Sequence, residues 1–482
     1  MSEGSPYVLI VGAGGGGMAA AIEAHDAGAR VEIVEAAEKP GGSTAMSAGV
    51  IYAADTDVQR EAGIEGDSVE EQFVHYMAVS QYSLEPRLIR ALLEGTHELI
   101  PWLQSLGVVF PPEGLHLGGA ETVKRSHLPA PAETDLGPAG GAAIAAALLR
   151  QVETRGIPIR LNARVADLIS EDGTVTGVRL EDGDELRADA VILTTGGIGH
   201  NRELLARHFP TFTEQPEEIS FYIGAPTVLG DGLELGERAG AEIVGHDMGV
   251  TLPTPGFEKV VDGFFASWLV FVNDHGQRFI AETAPYSVLP DAISEQPGAH
   301  CWVIMDHEAF SGAGDDPALS DPYGYGVEIA SNWSSATLAE QLEKGRLKKG
   351  ETLEELAGAV GIDPAGLRAT IDRYNADVAE GSDSIFEKPQ PHLAVDQAPF
   401  YAAELRSATL GLTFTGLRID EHGHVLTEAG TAIPGLYAAG ETTGGIQGIR
   451  YVASGAGVGN ALVFGRRVGR AAARDRSAVT TG

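Results

Sequence analysis

The chain has 482 residues, long for one ordinary domain and suited to two or three. With 43% hydrophobic and 21% charged residues it has a globular composition, and no apolar run of about 18 residues offers a membrane span. A formal charge of −35, from 68 acidic against 33 basic residues, argues against nucleic acid or anionic membranes as partners.

The opening "MSEGSPYVLIVG" has no basic region ahead of an apolar core and enters a strand almost at once, which predicts a cytoplasmic protein. Residues 7–11, "YVLIV", are followed by glycines and by "MAAAIEAHDAG", a small-residue helix pattern. "RVEIVEA" completes a β-turn-α-β unit. Within the turn, Gly12, Gly14 and Gly17 form G-x-G-x-x-G, and Glu35 ends the second strand. Such glycines let backbone amides approach a pyrophosphate at a helix N-terminus, and an acid about 20 residues on binds ribose hydroxyls. A ligand-free glycine turn is the bland alternative.

Further strands are expected over 157–195, the last ending at Gly196 and Gly197, and a helix over 230–242. From about 246 the chain becomes aromatic-rich and irregular, and helical patterns return at "TLAEQLEKG" and "DPAGLRATIDRYNADVAEG". The strand and helix patterns of an α/β domain resume near 407. The expected organisation is a Rossmann-type domain over 1–245 and 407–482, with an inserted α+β domain over 246–406. The lone cysteine, Cys301 in "GAHCWVIMD", excludes an internal disulfide and reads as a buried structural thiol. No metal site is expected.

A second glycine cluster, "KPGGSTAMSAG", resembles the flavoprotein pattern in which Gly41, Gly42 and Ser43 lie along the pyrophosphate and ribityl chain. "GLYAAGETTGG" resembles the second flavin-contacting segment, with Gly440 and Glu441 near the ribityl group. The helix from Val458 would aim its positive end at the flavin. FAD is therefore expected, noncovalently held because "GGSTAMSAG" has no histidine for attachment. Together these blocks resemble the succinate dehydrogenase/fumarate reductase flavoprotein family, which implies an FAD domain and a capping domain. The resemblance also implies cofactor contacts at Gly49, Val165, Gly196 and Asp231.

Three departures from that family bear on substrate. Counting from the shared "VNDHGQRF" block, dicarboxylate reducers place a substrate arginine where this chain has Phe265, and a proton-donating arginine where it has Tyr286. Their substrate histidine before a threonine is replaced by Leu412 before Thr413. Succinate, with two carboxylates to neutralise, would be poorly held. The same positions resemble the family's 3-ketosteroid dehydrogenase branch, with Tyr451 and Gly455 of "RYVASGAG" spaced as its ketone-binding pair.

That likeness implies α,β-desaturation of a cyclic ketone. Tyr286 would remove the α proton, and the Tyr451 hydroxyl and Gly455 amide would hold the ketone oxygen, a donor being worth roughly 2.7–4 kcal/mol. The β hydride would pass to the flavin. Arg450 is a candidate for a substrate carboxylate, and Phe264, Phe265, Trp268 and Phe414 for an apolar pocket. Each has a packing alternative. Lys124, Arg125 and His127 read as a surface loop. The substrate expectation is a cyclohexanone such as 4-oxocyclohexanecarboxylate or a 3-ketosteroid, with a quinone, dye or oxygen as acceptor. The rivals are a dicarboxylate or enoate oxidoreductase and a non-catalytic flavin-binding module.

Overall fold

The strand Tyr7–Val11 is apolar on both faces because it lies at the centre of a parallel sheet. Arg30–Val34 pairs with it on one side and Ala190–Leu193 on the other, both in parallel register. The order across this six-stranded sheet is His424–Leu426, Ala432–Ala438, Ala190–Leu193, Tyr7–Val11, Arg30–Val34, Ile159–Arg160. Only the pairing of the first two of these strands is antiparallel. The computed structural model describes residues 5–257, 265–320 and 331–475.

The small-residue run after the first strand sets how closely two helices approach. Helix Gly15–Asp26 packs against helix Ala456–Arg474 with almost no side chain between them. A Cβ on Gly465 would lie 2.3 Å from the Gly16 carbonyl oxygen, and one on Gly469 would lie 2.3 Å from that of Ala20. Backbone meets backbone there, so the glycines of both helices are structural.

The chain divides into two compact units. The first comprises Met1–Thr213, Tyr222–Val250 and Gly411–Gly482. It holds the parallel sheet and a smaller antiparallel sheet of Val165–Glu171, Thr174–Leu180 and Glu185–Arg187. The second comprises Glu214–Phe221 and Thr251–Leu410. Residues 214–221 are a stretch that composition left inside the first.

In the second unit, Cys301–Met305 pairs antiparallel with Val270–Val272 and with the strand entered at Phe400. Side chains alternate between two cores, as a two-residue period demands. Phe271, Cys301, Val303, Met305 and Leu405 enter one core, whereas Val270, Val272, Ile304 and Ala402 enter the other. Cys301 is fully buried, and burial holds its thiol protonated far above the usual range.

The segment leading to Tyr286 is anchored by buried charge. Arg278 pairs with Glu282 at 2.8 Å and with Asp383 at 2.7 Å, and Lys388 reaches Glu282 at 3.1 Å. Glu282 also accepts the Phe271 N–H at 3.0 Å. Two cations and two carboxylates neutralise one another, which makes their burial tolerable. Tyr286 follows in the turn before helix Leu289–Ser294 and is half-buried.

Candidate active site

The first unit builds a cradle at the N-terminus of helix Gly15–Asp26. Gly12 has φ +106°, and a Cβ there would lie 2.4 Å from the Thr194 carbonyl oxygen. A Cβ on Gly17 would lie 1.9 Å from the Gly12 carbonyl oxygen. Both glycines are demanded by the protein's own backbone. Gly14 is different: a Cβ there meets nothing within 4 Å, and its φ of −73° suits any residue. The fold gives no reason for a glycine at 14, whereas a group lying over the helix N-terminus would.

The second glycine cluster closes the cradle. The Gly41 N–H donates to the Ala13 carbonyl at 2.9 Å, and Gly14 and Gly41 form a parallel bridge. Gly41 and Gly42 have φ of +119° and +51°. The Gly15 N–H donates to Thr44 Oγ1 at 3.2 Å, and the Ala225 N–H donates to Ser43 Oγ at 3.0 Å. Glu35 accepts the Ala13 N–H at 2.6 Å and the Ala37 N–H at 2.8 Å, so its carboxylate also stiffens the loop.

Other expected cofactor residues have visible structural work. A Cβ on Gly49 would lie 2.5 Å from the Gly141 nitrogen. Val165 is buried and pairs with Leu180. Asp231 opens helix Asp231–Arg238 and bonds Arg164, with burial raising its carboxyl. Gly196 has φ +78°, and its carbonyl accepts from Thr442 Oγ1 at 3.2 Å.

The C-terminal flavin segment forms a cleft wall. The Gly440 carbonyl accepts from Thr443 Oγ1 at 2.7 Å and from Asn460 Nδ2 at 3.3 Å. Glu441 accepts the Thr413 N–H at 2.8 Å and the Tyr222 hydroxyl at 3.1 Å, and burial pushes its carboxyl up. Leu412, Phe414 and Ile446 supply apolar surface, and Thr413, Gln447 and Asn460 supply polar groups. No Lys, Arg or His is among the described residues lining this cleft.

Tyr451 and Phe414 stand together, their rings 6.0 Å apart. The Tyr451 hydroxyl accepts the Gly457 N–H at 3.3 Å, at the positive end of the 19-residue helix Ala456–Arg474. Val458, in the first turn of that helix, is half-buried. Gly455 caps the helix with φ +97°, and a Cβ there would lie 2.7 Å from the Tyr52 nitrogen. Its glycine identity is therefore explained by packing, although its N–H is not spent by that explanation. Arg450 is half-buried.

Two expected pocket residues are instead core. Phe265 and Trp268 are each 1% exposed and pack in the second unit's interior among Phe271, Trp333 and Leu405. Neighbouring side chains cover both rings. Phe264 lies outside the described residues. The "TVKRSHLP" stretch is not a surface loop either. Arg125 and His127 are 4% and 1% exposed. Arg125 is held by Asp67 at 2.6 Å and His127 by Thr56 at 2.8 Å, while Lys124 is exposed. Sequence reasoning missed Gln447, Tyr222 and Thr413, which no motif or spacing singles out as lining residues.

Gly14's open side, the paired glycine loops and the helix N-termini fit FAD and define a flavoprotein of Rossmann type. The family model for the FAD binding domain matches residues 7–458, and the chain belongs to that family. A probable fumarate reductase, Ifc3, of Shewanella frigidimarina is 32% identical over 97% of this chain and 74% of its own length. The 4-oxocyclohex-2-ene-1-carboxylate 5-dehydrogenase of Sinomonas cyclohexanicum is 27% identical over 98% of this chain and 95% of its own length. Among solved structures, 3-ketosteroid-Δ4-(5α)-dehydrogenase from Rhodococcus jostii RHA1 with 4-androstene-3,17-dione is similar at TM-score 0.74 and 26% identity, covering 97% of this chain and 96% of that one. The protein is an FAD-dependent oxidoreductase acting on CH–CH groups. No helix among the described residues is long and apolar enough to cross a membrane. No cluster of three or more His, Cys, Asp or Glu among them is placed to hold a metal ion.

Proposed function

We propose that the chain desaturates a cyclic ketone of the cyclohexanone or 3-ketosteroid type. One observation carries the reading: the cleft bearing Glu441 is walled by Leu412, Phe414 and Ile446 and has no cationic side chain among the described residues of its lining. A dicarboxylate would meet a carboxyl there and nothing to neutralise it. A ketone needs only a neutral hydrogen-bond donor, which Tyr451 supplies.

The Tyr451 hydroxyl donates to the ketone oxygen. Its oxygen simultaneously accepts the Gly457 N–H, so the phenol O–H is polarised by the helix terminus. The Gly455 amide is the second donor. Negative charge developing on that oxygen acidifies the α carbon, and Tyr286, carried by the second unit, takes the α proton as its ionised phenolate and becomes the neutral phenol, so the reaction favours high pH. The apolar wall excludes water from the carbanionic site. FAD, when bound, supplies the hydride acceptor for the β carbon. The acceptor that reoxidises the enzyme is a quinone, a dye or oxygen. FAD is held noncovalently. The end-to-end match to the 4-oxocyclohex-2-ene-1-carboxylate dehydrogenase supports this reading over the partial overlap with the fumarate reductase.

Anaerobic titration tests it. Cyclohexanone or 4-oxocyclohexanecarboxylate should bleach the bound flavin, and Tyr286→Phe should slow bleaching by about 10²–10⁴-fold with FAD still bound. Wild-type rates in the variant, or turnover of fumarate with reduced dye and no response to any ketone, would overturn it.

A further inference from the structure

Gln447 and Asn460 both bring a buried amide oxygen without a hydrogen-bond partner to the described cleft. Gln447 is 6% exposed; its Oε1 has no partner among the described residues, and its Nε2 lies beside the Tyr76 hydroxyl. It lines the cleft together with Leu412, Phe414 and Glu441. Nothing about its backbone lets it turn to water instead. The preceding carbonyl, of Ile446, is gripped by the fully buried Tyr76 hydroxyl at 2.9 Å. The following residue, Gly448, sits so close to Ser80 that a Cβ would lie 2.6 Å from the serine Cβ. Helix Val69–Val79 and its cap thus hold residue 447 from both sides. The Tyr76 hydroxyl, which donates to the Ile446 carbonyl, can take at most one of the two Nε2 hydrogens, so one donor and Oε1 remain.

A primary amide held in this way presents one donor and one acceptor side by side. Leaving both buried and unpaired is unfavourable, so the fold retains them for a bound group. A carboxylate offers only acceptors and would leave Oε1 unpaired. A hydroxyl matches both, donating to Oε1 and accepting from Nε2. Gln447 stands four residues before the ketone-binding Tyr451, on the same loop.

Resting on the ketone reading above, we propose that Gln447 is a specificity-determining residue that receives a neutral hydroxyl on the ring, remote from the ketone. The preferred substrate class is then a hydroxylated cyclic ketone. A site built to hydrogen-bond a hydroxyl discriminates strongly against the analogue that lacks it.

The experiment compares cyclohexanone, 4-hydroxycyclohexanone and 4-oxocyclohexanecarboxylate on the FAD-loaded enzyme, its Gln447→Leu variant and the near-isosteric Gln447→Met. The wild type should favour the hydroxyketone over the plain ketone at least tenfold in kcat/KM. That ratio should fall at least fivefold in both variants, mainly through KM. Absorbance titration of the bound flavin with 4-hydroxycyclohexanone should show the same loss as a raised Kd. If the ketones turn over but the ratio is unchanged, this inference fails and the ketone reading stands. A ratio that collapses only for the carboxylate, or a variant that weakens FAD binding with the ratio intact, also overturns it. If no ketone is turned over, both fall together. Should one variant fail to fold, the other decides.

Discussion

Replacing Gly14 by alanine separates what the fold needs from what the cofactor needs. Gly14 has φ −73° and ψ −176°, a conformation alanine adopts without strain, and the added methyl meets no protein atom within 4 Å. With less freedom to lose on folding, the apoprotein should gain about 0.4–1 kcal/mol. That corresponds to an apoprotein melting temperature higher by about 0.5–1.5 °C. The methyl would instead occupy the space over the helix N-terminus, which is the place expected for a pyrophosphate. With FAD at a hundred times its Kd the wild type gains about 2.7 kcal/mol from the cofactor, and the variant should gain almost none of it.

The assay is thermal unfolding of stripped protein with and without added FAD, beside a titration following quenching of flavin fluorescence. Gly17→Ala serves as the contrast, because its Cβ would collide with the Gly12 carbonyl oxygen at 1.9 Å and the variant should fail to fold. A Gly14→Ala protein that binds FAD within threefold of wild type would refute the cradle. So would an apoprotein destabilised as badly as Gly17→Ala, since the glycine would then belong to the fold.

Three further outcomes follow from buried charge. Burial raises Glu121 from 4.5 to about 7, so the folded state holds its proton more tightly than the unfolded chain does. Stability is therefore lost as pH rises from 4.5 through 7, and Glu121→Gln should raise stability by about 1–3 kcal/mol at pH 8 but not at pH 4.5; equal gains at both pH values would contradict this. His424, between Asp420 and Asp475 at 2.8 Å each, is raised from 6.5 to about 9 by those partners. Its contribution is fully present below pH 6.5 and lost as pH rises through 9. His424→Gln should thus cost about 1–2 kcal/mol at pH 6, after discounting half-exposed Asp475, and little at pH 9.5, as read by denaturant melts. Lys388→Met leaves the Glu282 and Asp383 carboxylates with Arg278 alone and should cost about 3–5 kcal/mol, read in urea unfolding.

The dinucleotide half of the fold was legible because its constraints are local. An apolar pentapeptide, glycines at fixed offsets and an acid at the second strand's end each dictate one backbone event, and the parallel pairings of Tyr7–Val11 follow. Segments without such local rules were harder to place. Arg125 and His127 look solvated in sequence because their partners, Asp67 and Thr56, are far away along the chain. Phe265 and Trp268 advertise apolar surface, but aromatic composition is the same for a pocket wall and a core. Gln447 carries no sequence signal at all, since an orphaned amide is defined by what does not surround it.

This contrast bears on how far identity to a fumarate reductase reaches. Several glycines of this chain are fixed by backbone contact: Gly12 against Thr194, Gly465 against Gly16, Gly469 against Ala20. Those approaches tolerate no side chain whatever the substrate, so agreement there reports the fold and the FAD. Substrate chemistry is set by a few side chains around one cleft. There Leu412, Phe414 and Gln447 present apolar surface and a neutral amide, and Tyr451 presents a phenol at a helix terminus. Among the described residues this lining offers an anion no cation, so overall identity of 32% bears less on the choice of substrate than these few side chains do.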